Sequence, residues 1–289
     1  ANQGLQITHS SNAEKIIFNN NYFRFKAYFV PFLDPAKKFH SGTHFSEIYG
    51  LYVADQNIRD FLFPLVAKLE IAIRANIDNV ITCHTNNPFW YLNPDYFTDF
   101  DKIKEVLNKS GHRFTTGRQE FVEHYKTRYF TKKSFPYKLL PPFWIISEIF
   151  TIEQLLTVAK FVDKDKFMNH RQNKLNECAV NFGFDNYDSL ITNLSCILEL
   201  RNICAHHSRL WNRNLRNPSA ISKKITVKIN TRNRLYSHLV MLRVMCKKQK
   251  INDQIHSFFS SQISSHSIFQ RDLNSMGFPN GWDTDPIWI

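Results

Sequence analysis

Apolar residues recur at intervals of three and four along most of the chain, which is the spacing of one face of an α-helix. The clearest case is residues 46–82, where this apolar face consists of Ile58, Phe61, Leu62, Leu65, Val66, Leu69, Ala72, Ile73 and Ile77. The same spacing predicts further helices at 13–30, 98–109, 117–129, 143–161, 165–181, 187–212, 231–250 and 251–265. Residues 223–231 instead alternate polar and β-branched side chains, a pattern that allows a short strand. The predicted fold class is therefore all-α, with at most one short strand pair.

Prolines divide this helical pattern into two halves. Pro136, Pro141 and Pro142 lie close together, and proline both ends helices and stiffens connections. We place the main boundary here. The resulting units are an N-terminal helical region at 1–135, a helical domain with a basic face at 136–270, and an aromatic C-terminal tail at 271–289.

Glycine is scarce, and this scarcity narrows the possible chemistry. The 289 residues include only eight glycines, whereas an average chain of this length has about twenty. The motifs GxxxxGK[ST], GxGxxG and HExxH are all absent. The sequence therefore lacks the usual signatures of P-loop nucleotide hydrolysis, Rossmann hydride transfer and zincin chemistry.

The cysteines and histidines do not form ligand patterns. The five cysteines are widely spaced without a CxxC, so we expect reduced thiols rather than a disulfide framework or a zinc knuckle. No apolar run approaches the roughly 18 residues of a membrane helix, and the polar first residues do not have a signal-peptide pattern. His256 and His266 lack acidic or cysteine neighbours at ligand spacing. We expect a cytoplasmic protein with no metal and no cofactor.

Positive charge is concentrated in one part of the chain. The net charge is +12, from 37 lysines and arginines and 25 acidic residues. Residues 200–252 hold thirteen lysines and arginines and no acidic residue, so the remaining chain has a net charge of −1. A solvated helix face usually mixes both signs, whereas a block of one sign is typical of a polyanion-binding surface. We therefore expect an anionic partner.

The helix predicted at 187–212 carries polar residues on its apolar side. At about 100° per residue, Arg201 falls in the middle of a stripe formed by Leu190, Leu194, Ile197, Leu198 and Ala205. A cation is costly there unless it is paired or faces a cavity. Two interpretations stay open: a buried Arg–carboxylate pair beside a satisfied core histidine, or a functional cluster of Arg201, Asn202 and His206.

Arg201 and His206 lie about 140° apart around an ideal helix. One straight helix does not easily bring both side chains to a single small group. Either the helix bends at this point, or two copies of the chain pair so that each contributes to a shared site. The bare Arg-to-His spacing is not specific, because it occurs twice elsewhere in the chain.

The longer string LRNICAHHSRLWNR at 200–213 resembles the signature of the Abi-like (AbiD/AbiF-type) abortive-infection proteins, whose C-terminal half is a HEPN domain. The resemblance extends over most of the chain. It also rests on Leu69-Glu70 with Arg74, on Trp90-Tyr91-Leu92 with Pro94, on Pro142 with Trp144 and Glu148, and on MGFP at 276–279 with Trp282, Pro286 and Trp288. At Thr151-Ile152-Glu153 members commonly carry Ser-Phe-Gly, and we expect a local repacking there without lost chemistry.

This resemblance implies a metal-independent ribonuclease that acts against phage as a homodimer, restrained in some members by a companion structured RNA. It assigns the catalytic positions to Arg201, Asn202 and His206. Histidine can transfer protons near neutral pH, arginine binds phosphate and stabilises developing charge, and Asn202 would orient His206 or a phosphate oxygen. The expected RNA-binding residues around them are His207, Arg209, Arg213, Lys223, Lys224, Arg232 and Arg234.

Two further features have structural interpretations. Glu70 and Arg74 form an i,i+4 pair, most simply a helix salt bridge worth a few tenths of a kcal/mol; a role in holding RNA is less favoured. Trp211 is expected in the core or at a dimer interface rather than as a base-stacking platform.

Three functions stay open at this point. The first is an RNA-cleaving enzyme, the second a non-catalytic RNA-binding protein that uses the same residues, and the third a DNA-binding protein. The sequence has neither a helix-turn-helix pattern nor a zinc finger, so a DNA-binding function is the least favoured of the three. We expect RNA and a second copy of the chain as partners, and no membrane.

Overall fold

The protein is mostly helical, as predicted. In a computed structural model, which describes residues 4–130 and 140–289, there are twelve α-helices and one short antiparallel strand pair. The helices are α1 (Ser10–Asn20), α2 (Tyr22–Phe29), α3 (Phe45–Thr85), α4 (Phe100–Thr116), α5 (Glu120–Tyr129), α6 (Phe143–Ile149), α7 (Ile152–Phe161), α8 (Asn176–Asn181), α9 (Tyr187–Ala205), α10 (Leu235–Lys248), α11 (Ile255–Ser265) and α12 (Ser267–Asp272). The strands are β1 (Met168–Asn169) and β2 (Gln172–Asn173), with Met168 opposite Asn173.

The long helix α3 is the centre of the fold. Its 41 residues span about 60 Å at 1.5 Å per residue, and it continues through Pro64. Helices α2, α6, α8, α9 and α10 all pack against it. The prediction of a helix at 46–82 from its apolar spacing is confirmed, because Ile58, Leu62, Val66 and Leu69 are fully buried.

Several other predicted helices are shorter or divided. The segment 13–30 is two helices separated at Asn21, which has φ 65°. The segment 143–161 is divided before Thr151, because the side chains of Thr151 and Gln154 accept each other's backbone N–H and start a new helix. The segment 165–181 was predicted wrongly as one helix: it forms a 3₁₀ turn, the strand pair and the short α8.

The strand allowed at 223–231 is absent. This segment begins with a turn and pairs with no strand in the described parts of the chain, and the strand pair of the fold lies at 168–173 instead. The partly buried side chains of Ile225, Val227 and Ile229 pack against the core. Their alternation with polar residues therefore reflects one-sided burial of an irregular segment.

One buried cluster joins the two halves of the sequence. Side chains of α3 and of α6 to α10 belong to the same core. The C-terminal tail also packs on it, since Phe278 and Trp288 contact the ring of Tyr236 with ring centroids 5.0 and 5.9 Å apart. The predicted boundary at 135/136, with Pro136, lies outside the described residues, so the division into units stays a prediction. Within residues 4–130 and 140–289, no helix is long and apolar enough to cross a membrane.

Candidate functional site

Helix α9 ends inside the motif, seven residues earlier than the sequence predicted. Its last turn is closed by a Schellman arrangement, in which the backbone N–H of Ser208 donates to the carbonyl of Ile203 (2.9 Å) and that of His207 to Cys204 (3.1 Å). His207 adopts the left-handed conformation, with φ 52°. His206 is thus the first residue beyond the helix, and the chain turns directly after it.

A glycine at position 207 should stabilise the protein. The left-handed conformation of His207 disfavours a residue with a Cβ by about 1–2 kcal/mol, and glycine is the usual residue at this place in a helix end. We expect His207→Gly to raise the free energy of unfolding by about 1 kcal/mol, as measured by urea denaturation. The matched substitution Ser208→Gly should not raise it. A decrease for His207→Gly would mean that the imidazole itself holds the turn.

Arg201 lies at the edge of the buried face of α9, not in its middle. The buried residues are Tyr187, Leu190, Asn193, Leu194, Cys196, Ile197, Leu200, Ile203 and Cys204, and their centre is about 60° from Arg201 around the helix axis. Arg201 is half-buried, and its Nη1 donates to Asn202 Oδ1 at 3.4 Å. No carboxylate of the described residues pairs with it, so the interpretation as a buried Arg–carboxylate pair is wrong for this part of the chain.

Asn202 and His206 face one cavity of about 560 Å³ between α7, α9 and the chain after α9. Its cationic lining consists of Lys160, Arg213 and Arg216, and its acidic lining of Glu153 and Glu199. The imidazole of His206 is exposed to solvent. The structure therefore brings three of the predicted residues (Asn202, His206 and Arg213) into one pocket, with Arg201 hydrogen-bonded to one of them.

Arg209 and His207 face the other side of this turn. Arg209 lines a second cavity of about 510 Å³ together with Trp211, Arg271 and the end of α2. The carbonyl of His207 accepts a hydrogen bond from Arg24 Nη1 of α2 at 2.9 Å. The two residues are thus on the α2 side of the motif, away from the Asn202–His206 cavity.

The remaining predicted RNA contacts do not join the Asn202–His206 cavity. The backbone N–H of Lys223 donates to Asp185 at 3.4 Å, and Asp185 lies just before α9 begins. Because the 19 residues of α9 measure about 28 Å, Lys223 and Lys224 lie at the opposite end of this helix from His206. Arg234 instead directly precedes α10 and donates to Asn212 Oδ1 at 3.1 Å, and nearby Arg232 is exposed.

Asp55 anchors the motif turn and was not predicted as a site residue. This carboxylate is fully buried on α3 and accepts the backbone N–H groups of Leu210 and Trp211, the latter at 2.6 Å. It also accepts Tyr28 Oη and is ion-paired with Arg59. Burial raises the pKa of the Asp55 carboxyl, against the lowering effect of Arg59 and of the three other donors. Its sequence signal is a charged i,i+4 pair among the mostly apolar buried positions of α3.

The Glu70–Arg74 pair and Trp211 both have structural roles. The predicted pair of Glu70 and Arg74 is present at 2.5 Å. Arg74 is buried and also donates to the carbonyl of Ser147, so the pair joins α3 to α6 as well as stabilising its own helix. Trp211 is 1% exposed, which confirms its assignment to the core.

The basic residues of the pocket are not ion-paired with any described residue, and the described residues offer no metal site. Of the basic block, Arg243 is ion-paired with Asp253 at 2.9 Å, while no carboxylate of the described residues pairs with Arg213 or Arg216. Within the described parts of the chain, no three His, Cys, Asp or Glu side chains are grouped so that they could hold a metal ion. The five cysteines are unpaired. The pocket offers an imidazole, an amide and guanidinium groups.

Comparison with known proteins assigns a family. The family model described as Abi-like protein matches residues 15–212, more than half of the chain and including the motif string as far as Asn212. The match ends before the MGFP segment and the aromatic tail. No curated protein and no solved structure matches the chain. The chain belongs to the Abi-like protein family, and this membership suggests abortive-infection defence against phage.

Proposed function

We propose that the protein is an abortive-infection effector with a HEPN-type site that cleaves RNA without a metal, using Arg201, Asn202 and His206. The observation that carries the proposal is the exposed imidazole of His206 in a pocket with Asn202 and Arg213. Arg201 is hydrogen-bonded to Asn202 at the edge of that pocket. An exposed histidine among cations suits proton transfer beside a phosphate.

The residue types fit RNA transesterification. The 2′-oxygen attacks the adjacent phosphorus while the bond to the 5′-oxygen breaks, which leaves a 2′,3′-cyclic phosphate and a 5′-hydroxyl. A base must take the 2′-hydroxyl proton and an acid must give a proton to the 5′-oxygen, and histidine can do either. Arg201 would bind the phosphate oxygens and stabilise their growing charge. Asn202 would orient Arg201 through their hydrogen bond.

The two proton transfers require two groups, and a homodimer supplies them. His206 is the one histidine of the described residues that lines the pocket. In a symmetric pair of chains, two copies of this helix end would meet, and one His206 would act as base and the other as acid. Because α9 ends at the motif, His206 of each chain lies at the end of a helix, where a second copy of the chain can approach.

Incubation with RNA tests the proposal. Purified protein is mixed with total cellular RNA in the presence of EDTA, and the fragment ends are determined. Fragments that end in 2′,3′-cyclic phosphate are the expected result. Intact RNA at protein concentrations where RNA is fully bound would contradict the enzyme and leave a binding protein.

A non-catalytic RNA-binding protein is the second candidate. One observation favours it: a single chain offers, among its described residues, one imidazole in this pocket for two proton transfers. The same cations would then hold a structured RNA without cutting it. A chain that stays monomeric with RNA bound would favour this candidate over the shared site.

RNA binding should depend steeply on salt. If Lys160, Arg201, Arg213 and Arg216 each neutralise a phosphate, the released counterions should weaken binding by roughly 50-fold between about 50 and 200 mM salt, from a slope of about −0.7 per phosphate on single strands. Arg213→Ala should remove one phosphate contact and so reduce the magnitude of this slope by about 0.7. Lys104→Ala, an exposed lysine of α4, is the control and should leave it unchanged. Fluorescence anisotropy with labelled RNA measures both slopes, and a flat affinity would contradict a phosphate-binding pocket.

A further inference from the structure

Three aromatic side chains on α1 and α2, near the motif turn, are exposed instead of packing in the core. On α1 and α2 the rings of Phe18, Tyr22 and Phe23 are 88%, 51% and 75% exposed. Tyr22 and Phe23 lie edge to face with ring centroids 5.9 Å apart. We call these three residues the aromatic platform. Several large exposed rings within one short segment are uncommon on a protein surface and usually mark a binding site.

The same helices have a second aromatic face that does enter the core. Phe25 and Tyr28 of α2 are buried, and both contact Tyr52 of α3, with ring centroids 4.7 and 5.4 Å apart. This face holds α2 in place on α3. Of the platform rings, Tyr22 also contacts Phe29 of α2, with ring centroids 6.0 Å apart, whereas the other two are mostly exposed and remain available for a ligand.

Cations surround the aromatic platform. Lys15, Arg24 and Lys26 are exposed on α1 and α2, and no carboxylate of the described residues pairs with them. Residues 10–30 contain Glu14 as their single acidic residue. Rings interleaved with cations are the composition that binds single-stranded nucleic acid, in which bases stack on the rings and phosphates contact the cations.

The platform adjoins the motif turn on its α2 side, across the turn from the Asn202–His206 cavity. Arg24, next to Phe23, donates to the carbonyl of His207 at 2.9 Å, and His207 directly follows His206. At the other end of α2, Val30 and Pro31 line the cavity that contains Arg209. Helix α2 therefore runs along one side of the motif turn, with rings at its first residues and a cationic cavity at its end.

We propose that the aromatic platform stacks unpaired bases of RNA beside the cleavage turn, so that the substrate is single-stranded where the protein holds it. This inference rests on the proposed function, because it takes RNA as the ligand. The bases of a duplex are already stacked on each other and cannot reach the rings. The platform therefore selects unpaired RNA, while the Asn202–His206 pocket receives the phosphate to be cut.

A second copy of the chain fits this surface less well. Two platforms facing each other would bring together two segments that each carry three cations and one acid, and these would repel. The buried centre of a protein interface is also depleted in lysine. An RNA strand neutralises the cations and covers the rings at the same time.

Binding of an uncleavable single strand tests the platform directly. The probe is a fluorescent 2′-O-methyl RNA strand, compared with a 2′-O-methyl RNA duplex, and the protein is the full chain with Phe18→Ala and Phe23→Ala combined. Loss of stacking with two bases should weaken single-strand binding by about 5- to 100-fold and leave duplex binding unchanged. Phe23→Trp should bind as well as the parent chain, whereas Phe23→Leu, which keeps an apolar side chain without a ring, should not. Phe121→Ala, an exposed ring of α5, is the control.

The outcomes separate this inference from the proposed function. If the alanine variant binds single strands as the parent does, while the parent cuts RNA in a His206-dependent manner, the platform is wrong and the ribonuclease stands. A second outcome would overturn the inference. If Phe23→Leu binds single strands as well as the parent chain does, and the alanine variant changes from dimer to monomer in sedimentation, the surface is a protein interface. If the parent chain neither binds nor cuts RNA, both proposals fail.

Discussion

Replacing His206 by alanine is expected to lower the rate of RNA cleavage by about 10²- to 10⁴-fold, the usual contribution of a general acid or base. The imidazole is exposed at the end of α9, so its removal should leave the fold and the midpoint of thermal unfolding unchanged. Affinity for RNA should stay within about twofold, because the cations of the pocket are untouched. Initial rates on labelled RNA in EDTA and anisotropy titrations measure the two effects separately.

Arg201→Ala should differ from His206→Ala in a defined way. Because the guanidinium binds phosphate as well as stabilising its charge, both the rate and the affinity should fall. His112→Ala removes an exposed histidine of α4 and should cut RNA at the parent rate. If His206→Ala cuts as fast as the parent, the catalytic assignment is wrong. If it instead loses affinity and no variant cuts, the pocket binds RNA without cleaving it.

The parts of this site that could be predicted are those encoded locally. The apolar spacing placed α3 correctly, and the motif string identified Asn202 and His206, which do face one pocket. The end of α9 was missed because His207, rather than the usual glycine, takes the left-handed position, so no residue type marked the helix end. Arg201 was expected in the middle of an apolar stripe that included Leu198 and Ala205, but these two residues are only partly buried, so the buried face is centred elsewhere.

The other differences come from contacts between distant parts of the sequence. Asp55 and Trp211 are 156 residues apart, and neither periodicity nor spacing connects them. Lys223 and Lys224 were grouped with the motif because they follow it in sequence, yet the chain after α9 leads back to Asp185 at the start of that helix. The motif string therefore predicted one side of the pocket, whereas its α7 side and its supports required the tertiary structure.

Replacing Asp55 by alanine is expected to lower the free energy of unfolding by about 3–5 kcal/mol, the usual effect of breaking a buried ion pair by removing one partner. The substitution leaves the guanidinium of Arg59, which is 3% exposed, without its carboxylate. It also removes the acceptor of Tyr28 Oη and of the N–H groups of Leu210 and Trp211. Urea denaturation followed by circular dichroism measures the change. Asp55→Asn keeps an oxygen acceptor, so its free energy of unfolding should lie between those of the parent chain and of Asp55→Ala.

A double variant separates the stability of Asp55 from its position in the site. Asp55→Leu combined with Arg59→Met removes both buried charges, and apolar replacement of a whole pair is often neutral or stabilising. Asp101→Ala, which removes an exposed partner of Lys104, is the control and should leave the urea midpoint unchanged. An Asp55→Ala variant as stable as this control would mean that the carboxylate does not hold the turn. In the double variant the N–H groups of Leu210 and Trp211 still lack their acceptor, so a protein of parent-like stability that cuts RNA more slowly would identify Asp55 as the residue that positions the turn carrying His206.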